Sequence, residues 1–482
     1  MKNIRSNYTM LCDFYELTMA NGYFVKGMKD KIAYFDVFFR TFPDQGGFVI
    51  AAGLEEVIKY IQNLHFTADD IEFLRSKKIF NEEFLKYLEN FKFTGDIYAV
   101  PEGTVVFANE PMMIVRAPVI EAQFIETYVL TSLNYQSLIA TKANRVVRAS
   151  EGKVVSEFGA RRAHGPESAL LGARAAYIGG CDSSSNTLAD RDFGVPSSGT
   201  MAHSWVEMFD DELSAFKAYC EIYPENTVLL VDTYNIEKSG IPNAIKAFNE
   251  VLVPKGYRPK GIRIDSGDIA YESKRARKML DEAGFQDCKI VASNSLDEYL
   301  ITDLILQNAS VDFFGVGERL ITSKSSPVLD GVYKLVAVED EEGNITPKIK
   351  ISENIGKITT PHYKKVYRLY DRETNKALAD LITVYDEVID DTKPLLIFDP
   401  IATWKQKTLT NFYARELLVP IFKGGELVYQ LPTLEEIKDY AQKEVDTLWE
   451  EVKRFENPHR YYVDLSQKLW DIKNELLFAQ KR

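Results

Sequence analysis

EFGARRAHGPESALLGARAAYIGGCDSSSNTLADRDFGVPSSGTMAHSWV, from Glu157 to Val206, sets two adjacent arginines, a small-residue helix, two Gly/Ser-rich turns and a histidine in one run. The mostly apolar Val154–Phe158 reads as a short buried strand, and Arg161 and Arg162 follow directly at its end. Ala169–Ala176 suits a helix packed closely on a sheet, and Gly179–Asn186 suits a loop of free backbone N–H groups. Gly199-Thr200-Met201-Ala202-His203 then leads into an amphipathic helical pattern through Trp205 and Phe209. Loop-to-helix junctions of this kind collect anions, because unpaired N–H groups and the helix dipole both favour negative charge. A histidine there can take a proton or a phosphoryl group beside a bound phosphate.

Around this run the chain alternates strand and helix. Thr227–Asp232, Gly261–Ile264, Lys289–Ala292 and Val311–Val316 are further short apolar runs, each followed by polar or Gly-rich residues. Repeated βα units predict a parallel sheet, open or closed into a barrel. Residues just beyond the strand C-termini build the site in such folds. That rule selects Phe158–Arg162, Asp232–Asn235, Arg263–Asp268, Ser293–Ser295 and Gly315–Arg319.

The N-terminal region has a different pattern. Asp13–Phe24 reads as a helix with aromatic residues on more than one face, Ile32–Phe42 as a strand, and Gly53–Leu64 and Ala68–Phe91 as helices. Gly95–Ala117 alternates apolar and polar residues between Pro and Gly breaks, as in a small β-sandwich or barrel, and Leu130–Ala149 is a long helix. Val336–Asp390 is strand-like and Leu431–Arg482 helical, either a third domain or a return to the first. The boundaries expected are 1–130, 131–340 and 341–482. The charge runs Glu435–Lys438 and Glu444–Lys453 read as solvated helix faces.

Composition limits the function. The 482 residues suffice for two or three domains, and 45% hydrophobic with 27% charged residues is an ordinary globular balance. A net charge of -13 argues against non-specific nucleic-acid binding, which needs a basic face. Cys12, Cys181, Cys220 and Cys288 have no CxxC spacing, so neither a zinc site nor a disulfide framework is indicated. MKNIRSNYTMLCDFYEL lacks the apolar core of a signal peptide, and no run approaches transmembrane length, so a cytoplasmic location is expected.

Four motifs carry candidate chemistry. His203 is a cap histidine or a functional one, with Ser204 and Glu207 near enough in sequence to orient the ring. Arg263-Ile264-Asp265-Ser266-Gly267-Asp268 ends a strand before the helical pattern Ile269–Ala283; capping explains one aspartate but not two with an arginine. The carboxylates can bind ribose hydroxyls or magnesium, and Arg263 can hold a carboxylate bidentately. Asp232 falls on the same rim, and three carboxylates facing phosphate imply Mg²⁺. Gly315 and Gly317 form a phosphate-cradle candidate, with Thr322–Ser326 either adding donors or forming an exposed loop. Tyr15 and Phe158 are either an aromatic slot for a planar ligand or core residues.

Taken together, DFYELTMANGYF, FFRTFPDQGGFVIAAGLEE, EFGARRAHGP, YIGGCDSSSN, GTMAHSWV, VDTYN, IRIDSGD, ASNSLDE and FGVGERLITSKSSPVLDGVYKL resemble the nicotinate phosphoribosyltransferases, among the type II phosphoribosyltransferases. The resemblance runs over residues 13 to 335 in the family's order. It implies an α/β fold, an incomplete α/β barrel with an N-terminal β-rich α+β domain and a C-terminal extension. It further implies condensation of nicotinate with phosphoribosyl pyrophosphate to nicotinate mononucleotide and pyrophosphate, in NAD salvage. ATP hydrolysis would be coupled through a phosphohistidine at His203. Tyr15 and Phe158 match the ring-stacking pair, with Tyr15 supplied by the second subunit of a homodimer. Arg161, Thr200 and Arg263 match residues near the nicotinate carboxylate and ribose phosphate, Asp265 and Asn294 the ribose contacts, and Gly315, Gly317 and Thr322 the phosphate end. Asp232 with Asp265 would hold Mg²⁺. Two alternatives stand beside this: the sister nicotinamide enzymes, which use an acid at the amide, with Asp182 an acid in the matching segment, and a silent phosphoribosyl-metabolite sensor.

Overall fold

The computed structural model describes residues 7–479, and residues 1–6 and 480–482 of the terminal stretches read above lie outside it. The chain divides into two compact units: one runs to Leu138 and resumes at Val328, and the other is Ile139–Pro327.

The central unit is built on six strands in the order Ser183–Ser184, Val154–Glu157, Phe313–Val316, Lys289–Ser293, Gly261–Ile264, Val228–Leu230. Every pairing in it is parallel. Five of these are the apolar runs expected from sequence, and their short, doubly covered form suits a parallel sheet buried by helices on its faces. The sixth, Ser183–Ser184, has no apolar signature, yet it pairs beside Ser156 and Glu157. The strand order has two free ends and no closing pair, as expected for an incomplete barrel.

Helices Pro166–Ile178, Glu212–Ile222, Ile241–Ala247, Ile269–Glu282 and Glu298–Leu306 follow the strands. Phe216, Phe248, Leu252, Leu280 and Phe285 are buried between helix and sheet around Leu229, Ile262 and Ile290. Gly240 is required where the chain turns into Ile241–Ala247, because any Cβ there would overlap the Val231 carbonyl. That close approach fixes the strand end just before Asp232. With all strands parallel, Phe158, Ser185, Asp232, Asp265, Asn294 and Gly317 come to the same end of the sheet.

The other unit centres on a seven-stranded antiparallel sheet ordered Ile345–Pro347, Gly331–Glu339, Ile32–Phe39, Met113–Pro118, Asp96–Ala99, Val419–Lys423, Glu426–Leu427. A second sheet joins Phe412–Glu416, Lys364–Asp371, Ala377–Val384 and Val463–Leu465. The segment expected as a small sandwich or barrel, Gly95–Ala117, instead supplies two strands of the larger sheet, because long-range partners flank them on both sides. Gly331–Glu339 pairs with Ile32–Phe39 along its length, so the chain after the central unit returns to the N-terminal sheet. The three segments 1–130, 131–340 and 341–482 therefore do not coincide with the two compact units.

Helical extents also differ in detail. Ala68–Phe91 is two helices, Ala68–Ser76 and Glu82–Leu88, separated by a cap at Asn81. The long helix starts at Glu126 and runs to Ala149. Leu431–Arg482 holds Leu434–Asp446 and Gln467–Ala479 with the strand Val463–Leu465 between them. Glu444, read as part of a solvated face, is buried: it accepts from Arg368 at 3.1 Å and from Arg415 at 2.8 Å. Arg368, fully buried, also donates twice to Asp380, at 2.8 and 2.7 Å. Burying these charges would be costly without such pairing.

Candidate active site

Arg263 organises the carboxyl end of the parallel sheet. Its strand, Gly261–Ile264, alternates so that Ile262 and Ile264 enter the core while Arg263 faces the other side, with its side chain only 13% exposed. Nε donates to Ser293 Oγ at 2.9 Å, Nη2 to Asp265 Oδ1 at 2.9 Å, and Nη1 to Thr200 Oγ1 at 3.3 Å. Ser293 Oγ in turn donates to Asp265 Oδ1. A guanidinium held on three edges is pre-organised, and its planar fork suits a ligand carboxylate or phosphate. Its centre lies 5.7 Å from the Phe158 ring, within cation–π range.

Phe158 is seated by the neighbouring strand. Its N–H donates to Val316 O at 2.8 Å, and its ring lies over Gly315 so closely that a Cβ there would sit 2.5 Å from Cδ2 and 2.6 Å from Cε2. Gly315 thus leaves room for the ring. Gly317 lies under the Phe158 carbonyl and caps the one-turn helix Glu318–Ile321.

Beneath this loop Glu157 is fully buried, accepting from Ser184 Oγ at 2.7 Å and from the Gly159 N–H. Burial pushes its carboxyl above the usual range, with the two donors working against that shift.

Asp232 carries the second half of the rim. His203, the first residue of the short helix His203–Glu207, places Nε2 3.1 Å from Asp232 Oδ1, with the imidazole 42% exposed and the carboxylate 1%. Asp232 Oδ2 accepts from the Asp265 N–H at 3.1 Å and from Ser266 Oγ at 2.6 Å. Ser204 and Glu207 are both exposed, and the ring is oriented by Asp232, twenty-nine positions on, rather than by these helical neighbours. A five-residue helix turns those side chains outward. A cavity of about 330 Å³ opens beside this pair, bounded by Asp232, Tyr234, Asn235, Lys238, Ser266 and Glu272. A larger cavity of about 650 Å³ lies in the other unit. Three of its polar groups are engaged internally, Arg415 on Glu444, Glu436 on Thr433 and Tyr440 on Thr104.

The structure thus brings His203, Asp232, Asp265, Arg263, Thr200, Phe158, Gly315 and Gly317 together. Asp268 separates from them: it caps Ile269–Glu282 by accepting from the Tyr271 N–H at 3.0 Å. Arg161 is exposed in the turn Ala160–Arg162 at the rim. Asn294 follows the Lys289–Ser293 strand with φ 86°, a conformation that asparagine tolerates better than most residues. Thr322 donates its hydroxyl proton to the Glu318 carbonyl at 2.7 Å, which leaves the backbone N–H groups of this loop as donors for an anion. Tyr15, 43% exposed, lies on the helix Phe14–Val25 of the other unit. Partial burial, and then the charge of Glu126, push its phenol above the usual range. Ser293 and Ser266, which tie the acidic and basic residues together, were not singled out by residue type; only their place after strand ends marks them.

For a divalent cation the donors are two carboxylates. Asp265 commits Oδ1 to Arg263 and Ser293, leaving Oδ2 for the rim, while Asp232 is bonded through both oxygens. Among the described residues no cluster of three or more acidic, histidine or cysteine side chains forms a cage. One or two carboxylates fit Mg²⁺ that shares its coordination with substrate phosphates and water.

Residues 10–134 match the nicotinate phosphoribosyltransferase (NAPRTase) N-terminal domain, and residues 363–473 the nicotinate phosphoribosyltransferase C-terminal domain. Residues 139–330 match the quinolinate phosphoribosyl transferase C-terminal domain. The nicotinate phosphoribosyltransferase of Bacillus subtilis (strain 168) is 47% identical over 471 residues, covering 97% of this chain and 95% of that protein. The nicotinate phosphoribosyltransferase of Homo sapiens is 31% identical over 531 residues, covering 98% and 97%. The crystal structure of human nicotinic acid phosphoribosyltransferase superposes with a TM-score of 0.84 at 29% identity, covering 97% of this chain and 100% of that one. That of nicotinate-nucleotide pyrophosphorylase from Pyrococcus furiosus gives 0.72 at 25% identity, covering 93% and 97%.

Proposed function

Because the chain belongs to the nicotinate phosphoribosyltransferase family, we propose that it condenses nicotinate with phosphoribosyl pyrophosphate at this rim and couples the step to ATP through His203. The observation that carries the reading is Arg263, tethered by Ser293, Asp265 and Thr200 and lying over the Phe158 ring. A planar aromatic acid needs both a ring face and a fixed cation, and these two residues supply them together.

In this reading Phe158 stacks the pyridine ring, Arg263 and Arg161 hold its carboxylate, and Thr200 fixes the far edge of Arg263. Asp265 and Asn294 orient the ribose, and the Gly315–Thr322 backbone receives its phosphate. As pyrophosphate departs, positive charge develops on the ribose, and the carboxylates of Asp265 and Asp232 face it. The nicotinate nitrogen attacks from the ring pocket. Asp265 and Asp232 are the residues that would hold Mg²⁺, which would supply neutralisation of the leaving pyrophosphate's charge. A second copy of the chain is proposed to close the ring pocket with Tyr15, whose exposed face supports that role.

His203 has one ring nitrogen committed to Asp232. With Nε2 donating to that carboxylate, Nδ1 carries the lone pair and is the nitrogen that accepts the γ-phosphoryl group of ATP. The added charge, about -1.5 to -2 by analogy with other phosphorylated side chains, lies beside Asp232 and so disfavours a relaxed loop until it is hydrolysed.

The nicotinamide alternative is less well supported. Asp182 turns its carboxylate onto the Val155 N–H at 2.9 Å, on the amino-terminal half of that strand and below the rim. The rim position of its segment is Ser185, just past the strand Ser183–Ser184. The test is product formation from phosphoribosyl pyrophosphate with nicotinate or nicotinamide, with and without ATP. Nicotinate mononucleotide formed preferentially and stimulated by ATP supports the reading; nicotinamide preference, or binding without pyrophosphate release, overturns it.

A further inference from the structure

We propose that Glu157 is a positioning residue that ties the nicotinate loop to the segment carrying His203, so that the ATP-dependent change at the histidine reaches the ring pocket through the Glu157–Ser184 bond. The inference rests on the functional reading above and concerns how its two halves communicate.

Glu157 and Ser184 are both fully buried. On one side, the Glu157 carboxylate accepts the Gly159 N–H, which fixes the turn between Phe158 and Arg161. On the other, it accepts the Ser184 hydroxyl at 2.7 Å, and the Glu157 carbonyl accepts the Ser185 N–H at 2.9 Å. Ser184 is itself the platform for the next segment. Its N–H donates to Pro196 O at 3.0 Å, and its carbonyl accepts from the Ser198 N–H at 2.8 Å. Five residues after Ser198 comes His203, and between them Thr200 holds Arg263. Ser184 Oγ also accepts from the Asn186 N–H at 3.1 Å, so the hydroxyl's proton is directed at Glu157.

A carboxylate in this position is not needed for packing. A buried charge without a cation within hydrogen-bond reach is costly, and an apolar side chain would fill the space more cheaply. What the carboxylate provides is two strong acceptors on one rigid group, one for each loop. A shift of residues 196–203 on phosphorylation therefore acts on Ser184, and through Glu157 on the turn that orients Phe158 and Arg161. Ser156 Oγ and Ser183 Oγ, 2.7 Å apart, join the same two strands one residue earlier, but that bond does not reach the 158–162 turn as Glu157 does.

The test uses the full chain and three forms: wild type, Ser184→Ala and Glu157→Gln. Each is assayed for nicotinate KM and kcat with and without ATP, and for ³²P incorporation from [γ-³²P]ATP. The coupling is read as the ratio of nicotinate KM without ATP to that with ATP. Site-to-site coupling is typically about 5- to 150-fold. We expect the variants to incorporate ³²P while this ratio falls to within about two-fold of one. Ser184→Ala removes one hydroxyl and serves if Glu157→Gln fails to fold. Variants that keep the wild-type ratio, whatever their absolute KM, overturn the proposal, as do variants that lose ³²P incorporation, which would place Ser184 in phosphoryl transfer itself. A wild type that makes no nicotinate mononucleotide overturns the functional reading instead, and the two failures are thereby distinguished.

Discussion

Gly315→Ala should damage the ring pocket while leaving the phosphoryl-transfer half of the site intact. The added Cβ would sit 2.5 and 2.6 Å from two carbons of the Phe158 ring, where ordinary carbon contacts are about 3.5–4.0 Å. The ring must therefore retreat by about 1 Å or leave its seat. The strand offers little give, because Gly315 is paired with Ser293 on one side and Ser156 on the other. Overpacking of this kind costs about 1–3 kcal/mol. If the cost is met by displacing the ring, nicotinate loses that much binding, and its KM rises about 5- to 150-fold. The assay is steady-state kinetics with nicotinate varied, alongside thermal unfolding and ³²P incorporation from ATP. A double-mutant cycle with Phe158→Ala isolates the contact: in that background Gly315→Ala should add less than about 0.5 kcal/mol to the loss. A Gly315→Ala enzyme with unchanged nicotinate KM, or a cycle that is additive, would refute the placing of Phe158 against the pyridine ring.

Three further outcomes follow from the same geometry. Arg263→Lys keeps the charge but loses the fork that reaches Ser293, Thr200 and Asp265, and should lower kcat/KM for nicotinate by about 100-fold with little change in Tm. Mixing inactive Tyr15→Ala and Arg263→Ala chains under subunit exchange should restore part of the activity, since one site per mixed dimer would then be whole; no recovery argues against a ring contributed by a second copy. Glu16 supplies a pH dependence. Burial, chiefly, raises its carboxyl to about 8, whereas in the unfolded chain it titrates near 4.3. Between those values the folded state holds a proton that the unfolded state has lost, so its contribution favours folding at low pH and is lost as pH rises through about 8. Glu16→Gln should therefore lessen the decline of Tm between pH 5.5 and 8.5, and a Gln variant with the wild-type slope would remove Glu16 as its source.

The parallel sheet was legible because its strands are dense apolar runs that end abruptly in polar residues, as Val228–Leu230 does at Asp232 and Gly261–Ile264 at Asp265. The same abruptness marked Asp232, Arg263 and Asp265 as rim residues. Ser183–Ser184 escaped notice since a two-residue polar strand at a sheet edge has neither periodicity nor apolar content. Ser204 and Glu207 are the ring partners of His203 that the local sequence offers, while Asp232 reaches it from the end of a different strand. Side-chain bonds between separate βα units have no local signature. Neither has the antiparallel pairing of Gly331–Glu339 with Ile32–Phe39, where both strands are recognisable but their meeting depends on the whole intervening fold. Glu444 stands in a charged run, and only its place between Arg368 and Arg415 reveals it as buried.

The central claim, that His203 receives the γ-phosphoryl group and passes its free energy to nicotinate mononucleotide synthesis, is tested most directly by a label chase. Wild type and His203→Ala are incubated with [γ-³²P]ATP, the acid-labile and alkali-stable label is mapped, and nicotinate with phosphoribosyl pyrophosphate is then added. The account predicts label on His203, its release as phosphate with nicotinate mononucleotide formed in step, and no label in the variant. Label at another residue, or label on His203 that survives a full round of synthesis, would contradict it.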